Sequence, residues 1–220
     1  MNLFNITGCI TVHKAKPQNQ KGFTIVELMI ATTVFSVILL VSSVTLIQIS
    51  RFFQKGTTVN STQEATRNIV EELSESVQFG KNIPNDPPAN SGTKYGICID
   101  NIRFNYALNN RVDTTTTPAH HALWRDNGSC TPPSSLPNLN AALPAGGREL
   151  VPPGMQIVAL SVSKDATNDR LWTITLRLVS GSPDMFKVFG NPSSGCISTL
   201  LGGQFCADVT LSTTVYRRLQ

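Results

Sequence analysis

Three features of this sequence predict an α+β fold in which one long N-terminal helix packs on an antiparallel β-sheet head. Residues 28–49 contain no Asp, Glu, Lys, Arg or His, an amphipathic stripe runs on from Val59 to Val77, and beyond Ile102 apolar and polar residues alternate. A 3.6-residue period signals a helix and a two-residue period a strand. The chain has 220 residues, 40% of them hydrophobic and 15% charged. That is enough for one domain plus an additional segment, and it is not the composition of a disordered protein.

The charge-free run, residues 28–49, is 22 residues long and spans about 33 Å as a helix, the thickness of a bilayer core. Lys14, Lys16 and Lys21 all stand before residue 22, in a stretch without a single acid. This bias places the N-terminus in the cytoplasm and everything after Arg51 outside. Phe52 and Phe53 stand where the helix leaves the hydrocarbon. The formal net charge of +4 belongs to the leader: without its three lysines, the 18 basic residues fall to 15 against 14 acidic ones. A neutral body gives no support to a nucleic-acid footprint.

The outer stripe of Val59, Thr62, Thr66, Ile69, Leu73 and Val77, with Glu64, Arg67, Glu71, Glu72 and Glu75 off it, predicts that the helix continues past the bilayer. It is too short and weakly apolar for a coiled coil. Gly80 and Pro84 supply its stop. One helix over residues 23–79, loosened at Gly56, measures about 85 Å.

Alternation then takes over. Ile102, Phe104, Tyr106 and Leu108 share one strand face, Trp172, Ile174, Leu176 and Leu178 another, and Val209, Leu211 and Val215 a third. Val158, Leu160 and Val162 precede a polar stretch from Lys164 to Arg170 suited to a hairpin loop. One antiparallel sheet of four or more strands is expected, its apolar face covered by the helix. Trp124 and Trp172 read as core anchors. Residues 109–150, rich in Thr, Pro and Gly, read as a long surface loop.

Beyond the hydrophobic segment stand four cysteines, Cys98, Cys130, Cys196 and Cys206, an even number that suits an oxidising compartment. Joining neighbours in sequence predicts Cys98 with Cys130 and Cys196 with Cys206, one of three pairings. Zinc is disfavoured, because close ligand pairs are missing and His120 and His121 alone would complete a set. The two histidines read as a solvated pair. No catalytic constellation, phosphate loop or cofactor motif stands out, so the expectation is a non-enzyme with no cofactor and no metal.

An ordinary signal peptide would be cut after its apolar region, and no A-x-A site stands there. An uncleaved anchor accounts for the lysines and the apolar run but not for Glu27. The run Lys21-Gly22-Phe23-Thr24-Ile25-Val26-Glu27-Leu28 closely resembles the processing site of type IV prepilins and type II secretion pseudopilins. The resemblance implies cleavage after Gly22 by a membrane prepilin peptidase, N-methylation of Phe23 by the same enzyme, and a filament-assembly role for Glu27. Physics adds a reason: cleavage creates a positive amino group near a carboxylate at a helix N-terminus, where the dipole favours negative charge, and an acid at a membrane edge calls for a partner.

The domain reading that follows is a leader over 1–22, a transmembrane half-helix over 23–50, an amphipathic half over 51–80 and an extracytoplasmic head over 81–220. Cys9 makes the leader oddly apolar, and a start at Val12 would leave a compact basic leader. Scattered blocks of the head resemble the larger minor pilins and the J-type minor pseudopilins. They imply a subunit near the filament tip, and Glu27 implies a place one layer below the tip or within the priming complex. The partners implied are the peptidase, other pilin or pseudopilin subunits and inner-membrane lipid. The readings carried forward are a minor pilin that primes a pilus, a type II secretion pseudopilin, a tip adhesin or DNA-capture module using residues 109–150, and a membrane-anchored enzyme.

Overall fold

The computed structural model describes residues 22–82, 88–92, 94–131, 133, 136–181, 195–196 and 205–218. The leader up to Lys21, including Val12, and Pro84 lie outside the described residues. The chain divides into two units, Met1–Ile47 and Gln48–Gln220.

Helix α1 runs from Ile25 to Phe79 and passes through Gly56 without interruption. Every residue from 22 to 57 is exposed, including Phe35 and Leu40 at 61% and 68%. Such a surface needs lipid or other proteins around it, since apolar patches of this size are not left to water. Six hydroxyls within it are satisfied locally: Thr32, Thr33, Ser36, Ser42, Ser43 and Thr45 each donate to a carbonyl three or four residues back. In hydrocarbon that removes the cost of an unmet donor.

From Thr62 onward the helix has an inside. Thr62, Ala65, Thr66, Ile69, Val70, Leu73 and Val77 are buried. The two buried threonines donate to the carbonyls of Thr58 and Thr62, both at 2.7 Å. Ala65 and Val70 widen the expected stripe to the breadth a sheet-facing helix needs.

The helix stop is built by distant chain. A Cβ on Gly80 would lie 2.4 Å from Ile99 Cγ2, so only glycine allows the chain to pass the sheet here. Asp100 accepts the Lys81 and Asn82 N–H groups, which hold its carboxyl below the usual carboxylate range. Arg217 donates to the carbonyls of Gly80 and Lys81, and the Arg218 N–H to Gln78 O. A guanidinium at a helix C-terminus meets the negative end of the dipole.

The head holds two antiparallel sheets rather than the single sheet expected. The first is ordered β1 (Ala89–Ser91), β2 (Lys94–Ile99), β3 (Ile102–Tyr106), β4 (Leu123–Asn127), β5 (Arg148–Glu149). The second is β6 (Met155–Lys164), β7 (Leu171–Ser180), β8 (Ala207–Tyr216). Backbone bonds from Asn109 and Val112 to Ile157 and Met155 connect them. One core unites the α1 stripe with Ile97 and Phe104 of the first sheet and Trp172 and Leu176 of the second.

Three local differences have physical causes. Strand β3 ends at Tyr106 because Asn109, at φ 57°, turns the chain, and Leu108 packs half-buried just beyond it. In β6 the register shifts between Ile157 and Ala159; this bulge puts Ile157 into the main core and Val158 against Val179 and Cys206. Residues 109–150 are not one open loop, since β4 pairs along all of β3 and β5 pairs with β4. Strand β4 is buried on both faces, and its charges are matched: Arg103 makes two 2.8 Å bonds to Asp126, and Arg125 reaches Glu72 on α1. The polar turn between β6 and β7 closes as expected, with Asp165 accepting the N–H groups of Thr167 and Asn168.

Candidate processing and assembly site

Gly22, Phe23 and Thr24 form the non-helical approach to α1. A side chain on Gly22 would meet nothing within 4 Å, and its φ is not left-handed. Folding therefore makes no demand for glycine at this position. Phe23 is 84% exposed, so the Gly22–Phe23 bond stands open ahead of the helix.

Thr24 and Glu27 cap α1 reciprocally. Glu27 N–H donates to Thr24 Oγ1 at 3.2 Å, while Glu27 Oε2 accepts the Thr24 N–H at 3.1 Å and its hydroxyl at 3.0 Å. The T-x-x-E spacing is a capping box, a signal present in the sequence that the reading of Glu27 as an assembly residue passed over. One carboxylate thus starts the helix and presents negative charge one turn from Phe23.

The cysteines lie in the head. Cys98 on β2 is bonded to Cys130 beyond β4, and Cys196 to Cys206 ahead of β8. The first bond anchors the chain after β4 across the face of the first sheet turned away from α1.

That outer face also holds a group that the sequence did not reveal. His121 is 5% exposed rather than solvated. Its Nδ1 lies 3.0 Å from Glu149 Oε2, and its ring meets Trp124 edge-on at 5.3 Å. Glu149 Oε1 accepts the N–H groups of Leu123 and Val151. Burial pushes the Glu149 carboxyl up to about 7 against these backbone bonds, and burial pushes the His121 imidazole down. Burial thus disfavours the charged form of each group. His120 stays half-exposed, bridged to Asp113 through the backbone. Among the described residues, no three His, Cys, Asp or Glu side chains gather as metal ligands do.

Residues 17–43 match the model of the prokaryotic N-terminal methylation motif. Residues 17–43 are thus type IV prepilin-like. The match covers the Gly22–Phe23 junction, the Thr24–Glu27 cap and most of the charge-free run. Comparisons with curated proteins and with solved structures give no match. This motif implies processing by a prepilin peptidase and assembly with other pilins. Among the described residues one helix, α1, is long and apolar enough to cross a membrane.

Proposed function

We propose that the chain is a minor pilin-like structural subunit, cut after Gly22, methylated on Phe23 and incorporated into a type IV pilus whose assembly it helps to prime. Before assembly, residues 23–50 anchor it in the inner membrane with the N-terminus cytoplasmic. Residues 51–80 continue the helix, and residues 81–220 form the extracytoplasmic head. A type II secretion pseudopilin would share these steps and differ in the filament joined. The observation that carries the reading is the coincidence, within residues 17–43, of the methylation motif with an open Gly22–Phe23 bond ahead of a capped, fully exposed apolar helix.

Two Glu27 variants separate its two roles. Glu27→Gln keeps a side chain able to close the capping box and removes the charge; Glu27→Val removes both. Cleavage survives in each, because the bond cut lies ahead of the helix. Entry into filaments is lost in each, because an apolar stack offers little preference of register without a charged pair. Sheared filaments from cells expressing each variant supply the test. Wild-type levels of the Gln variant would remove the charge from the assembly contact, and wild-type levels of both would place Glu27 outside it.

A further inference from the structure

Pairing across the first sheet aligns Gly96, Asn105, Trp124 and Glu149 in one row. The neighbouring row contains Phe104, Arg125 and Arg148, and its two arginines bond Glu72 on α1. Side chains of adjacent rows point to opposite faces, so the Asn105 row looks away from the helix. Chain beyond β4 covers it: a Cβ on Gly96 would meet Leu136 Cδ2 at 2.5 Å and Cys130 Sγ at 3.1 Å.

Two neighbours in this row have unmet polar atoms. Asn105 is 0% exposed and neither atom of its amide is bonded; Trp124 is 1% exposed and its indole N–H has no acceptor. Buried polar groups are nearly always paired, with protein or with ordered water, and an asparagine amide brings two donors and an acceptor oxygen. The two residues are directly opposed on antiparallel strands, which sets their Cβ atoms about 5 Å apart. Both side chains stand on the same covered face, and neither bonds the other. A water meets both needs, accepting from the indole and donating to the amide oxygen, and such waters belong to buried sites with two to four polar partners.

Trp172 supplies the contrast inside the same molecule. Its indole N–H is equally unbonded and it is also 1% exposed. It stands in the apolar core facing α1, where its row partners are Lys164 and Val215 and no asparagine is beside it. We infer that Asn105 and Trp124 hold a buried water under the chain that covers the outer face of the first sheet, while Trp172, opposed by Lys164 and Val215, holds none.

The chain has two tryptophans, so nitrogen-15-labelled full-length protein in detergent micelles gives two indole N–H signals, assigned with Trp172→Phe. A rotating-frame Overhauser experiment should show a dipolar cross-peak to water at Trp124 and none at Trp172. In Asn105→Leu the Trp124 cross-peak should vanish while the Trp172 signal keeps its position, which shows that the core is intact. A folded wild-type protein without the Trp124 cross-peak would overturn the site even if the leucine variant did not fold. So would a cross-peak that persists in Asn105→Leu.

Discussion

Residues 22–57 and the head solve the burial of apolar groups in opposite ways. In the first region every side chain is exposed, phenylalanines and leucines included. In the head, one core closes over a helix stripe that is barely apolar, two of its members being threonines. The strongly hydrophobic half of α1 is thus the half that its own chain does not bury, and the weakly hydrophobic half is the one that folds. Hydrophobicity alone does not say where a segment finds its partner. What differs is whether the chain returns to cover it, as Arg217 and Arg218 do at the end of α1.

The contrast predicts that changes in the head alter folding and leave processing alone, whereas changes in residues 22–57 do the reverse. The largest effect belongs to Phe104, which is fully buried. Phe104→Ala should lower stability by about 3 to 5 kcal/mol. Ile38→Ala, on a side chain 56% exposed, should leave the head within about 0.5 kcal/mol of wild type. Thermal unfolding followed by near-ultraviolet dichroism compares them, and an equal drop for Ile38→Ala would break the division between the regions.

Next comes the covalent tie across the outer face. The Cys98–Cys130 bond closes a separation of 32 residues, which the chain-entropy account values at about 3 to 4 kcal/mol. Replacing both with serine should lower the urea midpoint accordingly without changing cleavage after Gly22. Unchanged stability would mean that the outer cover is held by packing alone.

The buried His121–Glu149 pair should make the head's stability pH-dependent only when one partner is removed. Glu149 alone, raised from 4.5 to about 7, binds its proton more tightly in the folded state. Its stabilising contribution is complete below pH 4.5 and is lost as pH rises to 7, by on the order of 2 to 3 kcal/mol. His121, lowered from 6.5, acts oppositely, because below 6.5 the unfolded chain takes a proton that the folded one resists. Together the two trends offset each other between pH 4.5 and 6.5. Urea titrations should find His121→Gln weaker at pH 7.5 than at pH 5, and Glu149→Gln weaker at pH 5. The same slope in both variants would sink this account.

The smallest effect concerns Glu72, which joins α1 to Arg125 and Arg148 at the edge of the first sheet. Arg148 is 63% exposed and solvent screens the pair, so Glu72→Gln should cost no more than about 1 kcal/mol. A loss comparable to that of Phe104→Ala would show the ion pairs, not the apolar stripe, to be what docks the helix.

Much of this was legible in the sequence because periodicity reports burial on one face. The stripe from Thr62 to Val77 buries one face, and the strands around Trp172 and Leu211 alternate in burial; β3 kept a readable apolar row at Ile102, Phe104 and Tyr106 although Asn105 between them is buried too. Strand β4 was hidden because both of its faces are buried and its charges, Arg125 and Asp126, are neutralised by residues far off in the chain. Such pairing leaves no local trace. Glu149 and His121 were missed for the same reason, being joined by strand pairing across 28 residues. The Thr24–Glu27 capping box was local and readable, but its glutamate already had an explanation in the family's assembly chemistry.

The most direct test of the central claim is the intact mass and N-terminal fragment spectrum of the protein extracted from membranes of a host that has the peptidase. The account predicts a chain that begins at Phe23, with one methyl group on its amino nitrogen. Recovery of protein that still begins at Met1 or at Val12 would contradict it and leave an uncleaved membrane anchor in its place.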